Sequence, residues 1–235
     1  MIPKDLALKS LRSEVHYRGN YAENAFDLLA APTPLYKSLL KQLGDFGANL
    51  QDLKVETPTL ADTHINCSLP DLSTSIRVRL DRLEIDCWRL NEIGTETAER
   101  IVLKGWAAIR EADATLQLLS HRVDVNVLAE VQNGTAADVL GHYVRTPEPL
   151  NAMDLGVAFY SRPIQRNEDL WTNIVLDRVF KEDRQLTIKM TVGCDAAMEP
   201  LDRLASTVLS QIGRALGGLG LHFIVDDQFS REGKK

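Results

Sequence analysis

Apolar and polar positions alternate with a period of two over several stretches, separated by stretches with a helical period. Leu11, Ser13, Val15 and Tyr17 alternate with Arg12, Glu14, His16 and Arg18, which predicts a half-buried strand. Gly19 and Asn20 end it in this reading, and a helical stretch follows through Ala25, Phe26, Leu28 and Leu29. Thr33 as N-cap with Pro34 at the first helical position starts a second helix, because proline lacks only a donor that would be orphaned there. Leu35, Leu39, Leu43 and Phe46 share one face of it, and strands follow at Leu53–Val55 and around Ile65 and Cys67.

The segment SIRVRLDRLEIDCW is the most informative. Ile76, Val78 and Leu80 occupy one face, and the apolar set restarts at Leu83, Ile85 and Cys87 on the opposite parity. A slip of one residue would turn the apolar face outward. A β-bulge at Asp81–Arg82 restores the phase. A tight hairpin does so too, but Asp-Arg lacks the glycine that favoured two-residue turns use, so the bulge is the expectation.

Further along, Ala98, Ile101, Val102, Gly105 and Ile109 predict a helix over Thr95–Ala112. Val123, Val125, Val127, Ala129 and Val131 predict a strand that closes at the Asn-Gly turn, 133–134, before a short helix in TAADVLGHYV. Leu155, Val157 and Phe159 begin another strand, stopped by Pro163. Ile174, Leu176 and then Val179 repeat the parity switch, Lys-Glu-Asp-Arg turns the chain, and Leu186, Ile188, Met190 and Val192 alternate. Leu201, Leu204, Ala205, Val208, Ile212, Ala215, Leu216 and Leu219 outline an amphipathic helix that the following glycines stop. LHFIV forms a last strand.

Three phrases recur in order: P-x-P-L at 32–35 and 147–150, D-L-x-V at 52–55 and 154–157, and L-D-R-[LV] at 80–83 and 176–179. They suggest a tandem duplication of a β-α-β-β-β-α unit, a first half over 1–115 and a second over 116–228, followed by a disordered tail, 229–235. The halves could equally form one continuous domain. Four-residue matches also arise by chance, and LDRL occurs again at 201–204. The fold class does not depend on the repeat. Long alternating strands and a few amphipathic helices predict an α+β protein, with a largely antiparallel curved sheet, or sheets, and helices packed on one face.

Composition narrows the function. At 235 residues the chain can bury a core without a disulfide or metal staple. A net charge of −6 disfavours nucleic acid as a partner, and the basic residues are interleaved with acidic ones, as on a solvated mixed-charge face. With no apolar run of about 18 residues, no membrane partner is expected. The first residues lack the apolar centre of a secretion signal, and Cys67, Cys87 and Cys194 read as reduced buried thiols, so a cytoplasmic location is expected.

The chemistry is sparse. His64 and Cys67 are three apart on a strand and point to opposite faces, which argues against a nucleophile–base pair. Asp62 shares the His64 face and could pair with it at a metal, but no H-x-x-x-H or C-x-x-C spacing occurs, and neither metal nor cofactor is expected. The glycines of GRALGGLG end a helix, where the orphan groups are carbonyls that repel phosphate. Cross-strand ion pairing is the plainer account of Asp81, Glu84 and Asp86 in LDRLEID. The catalytic nominees are His64, Asp62, Asp81 and Arg82. The binding nominees are Trp88, Trp171, Asp177 and Arg178, since the two tryptophans flank the parity-switch strands and paired Asp-Arg bulges could line a groove.

The expected function is therefore a non-enzymatic binding or assembly protein, using sheet faces or edge strands to hold a protein partner or itself. The alternative is a small-ligand-binding protein or hydrolase-type enzyme, with a site assembled between sheet and helices.

Overall fold

The structure is a computed structural model and describes residues 6–57, 59, 62–144, 156–161, 170–179, 181–195 and 204–224. Among the described residues there are ten strands: β1 (Leu6–Tyr21), β2 (Leu53–Glu56), β3 (His64–Leu69), β4 (Thr74–Arg79), β5 (Arg82–Cys87), β6 (Leu118–Val131), β7 (Gly156–Ser161), β8 (Leu170–Arg178), β9 (Gln185–Cys194) and β10 (Leu221–Phe223). Six α-helices accompany them: α1 (Phe26–Ala30), α2 (Thr33–Leu43), α3 (Leu90–Ile93), α4 (Thr95–Ala112), α5 (Ala136–Gly141) and α6 (Leu204–Gly218). The hydrogen-bonded strand order is β2-β3-β4-β5-β1-β6-β9-β8-β7, with β10 paired to β1. This is the α+β class, with a largely antiparallel sheet.

The chain divides into two compact units. The first holds Met1–Ser13, Asp124–Val192 and Ser206–Lys235, and the second holds Glu14–Val123 and Gly193–Ala205. Strands β1 and β6 each contribute to both.

In the second unit β2, β3, β4, β5 and the later half of β1 pair antiparallel in that order. Helix α4 buries Ala98, Ile101, Val102, Gly105, Trp106, Ala108 and Ile109, the stripe a 3.6-residue period dictates. It sits close to the sheet at Gly105, where a Cβ would stand 3.2 Å from Ile85 Cδ1. Ile76, Leu83, Ile101 and Ile109 are fully enclosed, and burial of each contributes about 1.5–3 kcal/mol. Within this core the Trp106 indole N–H donates to Tyr17 Oη at 2.6 Å. Tyr17 Oη also lies 2.8 Å from His121 Nδ1, in hydrogen-bonding contact. Burial keeps the His121 imidazole neutral, pushing its pKa down to about 4.

Several boundaries differ from the sequence reading: α2 ends at Leu43, so Phe46 falls in a separate short turn over Gly44–Phe46, and β6 begins earlier, at Leu118. Strand β1 runs through Gly19 and Asn20 to Tyr21, because both residues pair with β5. Helix α2 starts with Pro32 as its N-cap and no side-chain cap bond, so Thr33 is its first residue and not its cap.

A larger correction concerns the first parity switch. It is a hairpin and not a bulge: Val78 pairs with Leu83, Ile76 with Ile85 and Thr74 with Cys87. Only Leu80 and Asp81 lie between the strands, and neither has positive φ. The turn does without glycine because another segment holds it. The Leu80 carbonyl accepts from the Ala25 N–H at 2.7 Å, and the Asp81 carbonyl from the Tyr21 N–H at 2.9 Å.

In the first unit β7 and β8 pair antiparallel, and β10 runs parallel to the start of β1, with Leu6 opposite Leu221. Leu204, Val208, Ile212 and Leu216 form the buried stripe of α6. A reciprocal cap between Thr135 and Asp138 starts α5. The second parity switch arises differently from the first. Strand β8 stops at Arg178, and Val179 already belongs to the turn, donating to the Gln185 carbonyl. The duplication is thus not confirmed. The second P-x-P-L phrase, Asp154, Leu155, Pro163 and Leu201 all lie outside the described residues. Among those residues no helix is long and apolar enough to cross a membrane.

Candidate functional site

The hairpin register decides what the second unit displays. Leu83, Ile85 and Cys87 of β5 are buried, with Leu83 and Ile85 facing α4, so Arg82, Glu84 and Asp86 point to the other side of the sheet. Cross-strand pairing then builds three polar rows on that side. Lys54, Asn66, Arg77, Glu84 and Arg18 form one. Ser68, Ser75, Asp86 and His16 form the second. Glu56, His64 and Arg79 lie on the third, beside the Arg82–Asn20 pair.

Glu84 is the centre of this lattice. Arg82 Nε donates to its Oε1 at 2.6 Å and Arg79 Nε to its Oε2 at 2.8 Å. Arg18 approaches at 3.4 Å, and Arg77 Nε also lies 3.4 Å away, without hydrogen-bond geometry. Burial raises the pKa of Glu84, but the bonds and charges of Arg82 and Arg79 outweigh it and hold the carboxyl at about 2. Asp86 accepts from Arg77 and pairs with His16 Nδ1 at 2.8 Å. Arg82 also clasps Asp81 at 2.7 Å, beside the hairpin turn.

The four catalytic nominees belong to this face or its rim, in roles unlike those expected. Asp81 and Arg82 pair with each other at the turn. His64 is buried, with Nδ1 bonded to the Asp62 backbone carbonyl at 2.7 Å and Nε2 3.5 Å from Glu56. The Asp62 carboxylate is turned away from that imidazole: it accepts from the Thr59 hydroxyl at 2.8 Å and lies 3.9 Å from Arg79. Among the described residues no group of three or more His, Cys, Asp or Glu is placed to hold a metal ion. Cys67 lies on the opposite, buried side, where burial first and the Asp52 charge second push its thiol up to about 12.

The binding nominees fall in different units. Trp88 follows β5 in the second unit and is exposed. Trp171, Asp177 and Arg178 lie on β8 in the first, with Asp177 opposite Gly156 and Arg178 bonded to Asp183 at 2.7 Å. The Asp81–Arg82 dipeptide is not a bulge.

The residues the sequence reading did not nominate are Glu84, Arg77, Arg79, Arg18, His16 and Asp86. A two-residue loop at Leu80–Asp81 would have found them, since it places Glu84 opposite Arg77.

With Glu84 ionised down to about pH 2 and guanidiniums permanently charged, the centre of the lattice cannot exchange protons near neutrality. It can hold charge in fixed positions and offer hydrogen-bond donors. No family model matches the chain, and no curated protein matches it.

Proposed function

We propose that the chain is a non-enzymatic binding protein that docks a protein partner on the polar sheet face of its second unit. The observation that carries this reading is the set of four guanidiniums fixed around Glu84 on the side opposite α4. Glu84 and Asp86 are already engaged by arginines, whereas each guanidinium has five N–H donors and uses few of them. The surface around Glu84 therefore has donors to spare. A fitting partner presents carboxylates or an extended backbone rich in carbonyls. Arg18 is the least committed member, with a side chain 45% exposed.

Arg18→Gln tests the reading without uncovering the buried pairs. Affinity purification from the native host, with light scattering of the purified chain, compares the two forms. A defined partner chain, or a mass above 26.2 kDa, is expected for the parent, weakened in the variant and by added salt at unchanged melting temperature. A monomer without a partner, or binding indifferent to both Arg18 and salt, would refute it.

A further inference from the structure

The first unit contains a groove of about 300 Å³ between α6 and the β7–β8 pair. Its floor is apolar. Phe159 and Ile174 sit opposite each other in the strand register, and Leu219 closes one end. The Tyr143 ring meets Phe159 edge-on at 5.0 Å, and its hydroxyl donates to the Leu219 carbonyl, which ties the end of the helix to the strand. The wall is low because α6 presents Ala215 and Gly218 to the groove, and a Cβ on Gly218 would meet nothing within 4 Å.

Three polar side chains reach the same space: Thr172, Gln211 and Arg214. None of the three makes a side-chain hydrogen bond or ion pair with another described residue. For Arg214 this is unremarkable, because it is exposed. Thr172 is only 6% exposed, and its hydroxyl is the polar group that β8 brings to the groove. Arg214 is also the only charged residue in α6. A concave apolar surface with a few convergent polar groups is the ordinary form of a small-molecule site, and this volume is at the small end of the usual range.

We propose that this groove binds a small amphipathic carboxylate. The apolar body lies on Phe159, Ile174 and Leu219, and the carboxylate accepts from the Arg214 guanidinium, with Gln211 and the Thr172 hydroxyl completing its shell. A guanidinium fork matches a planar carboxylate, and one such charge with an apolar floor selects an acid over the alcohol of equal length. The proposal concerns a surface of the first unit and does not rest on the arginine lattice of the second.

The test uses the full chain with octanoate and octan-1-ol as probes, read by amide chemical shifts. Saturable shifts at Thr172, Ile174 and Gln211–Ala215 are expected, with octanoate binding about tenfold tighter than the alcohol, the worth of one charged hydrogen bond. Arg214→Gln removes that preference and leaves octan-1-ol binding unchanged. Ala215→Phe fills the groove and abolishes both. Equal affinity for the two probes, shifts centred elsewhere, or an Arg214→Gln variant that keeps the preference overturns the proposal. Because Arg214 is exposed, its variant decides the matter even if Ala215→Phe does not fold.

Discussion

Replacing Glu84 with glutamine removes one negative charge from the centre of four guanidiniums and changes almost nothing in shape. Its carboxyl is held at about 2 against an ordinary 4.5. At 1.36 kcal/mol per pKa unit, the carboxylate form contributes at most about 3 kcal/mol to folding at neutral pH. Solvent reaches Arg77 and Arg82, with side chains 32% and 24% exposed, so a loss of about 2–3 kcal/mol is expected, below the ~3–5 kcal/mol for breaking a fully buried pair. For a chain of this size that lowers the melting temperature by about 5–10 °C. The sign follows from the depressed pKa. The stabilisation is complete above pH 4.5 and disappears as pH falls to about 2, because the unfolded carboxyl takes up its proton first. Calorimetry of parent and Glu84→Gln at pH 7 and pH 3 checks both points: the gap should narrow by about half at pH 3. A gap below about 1 kcal/mol at pH 7, or one that does not change with pH, would refute the idea that the arginines are organised by this carboxylate.

Two further outcomes follow from the core of the second unit. His121 has a pKa of about 4 when folded against 6.5 when free, so its neutral form stabilises the fold fully above pH 6.5 and loses about 3 kcal/mol as pH falls to 4; urea midpoints of His121→Gln should lack that slope. A Cβ at position 19 would stand 2.5 Å from Tyr17 Oη and 2.6 Å from Trp106 Cζ2, so Gly19→Ala should cost about 1–3 kcal/mol by overpacking and shift the Trp106 emission.

The alternating stretches predicted β4, β6 and β8, and the helical period predicted α4 and α6, because each of these elements buries one face. The sequence reading failed where one segment depends on another. Leu80–Asp81 forms a turn without glycine only because Ala25 and Tyr21 take its carbonyls, and nothing in SIRVRLDRLEID announces those donors. Misreading that turn hid the pairing of Arg77 with Glu84, and with it the lattice. His64 and Asp62 were nominated for their spacing, but the contact between them runs through a backbone carbonyl that spacing does not report. The groove of the first unit depends on how far α6 covers β7 and β8, a matter of tertiary placement.

The parallel pairing of Leu6 with Leu221 has a consequence for the nascent protein. At a translation rate of roughly 5–20 residues per second, the opening strand waits about 10–40 s for the segment that will flank it. During that wait its unsatisfied amides and carbonyls are available to any neighbouring chain. Losses to clumping in the cell should then track ribosome speed, and a mutation that leaves the finished fold untouched but stalls elongation before residue 221 should lower the yield.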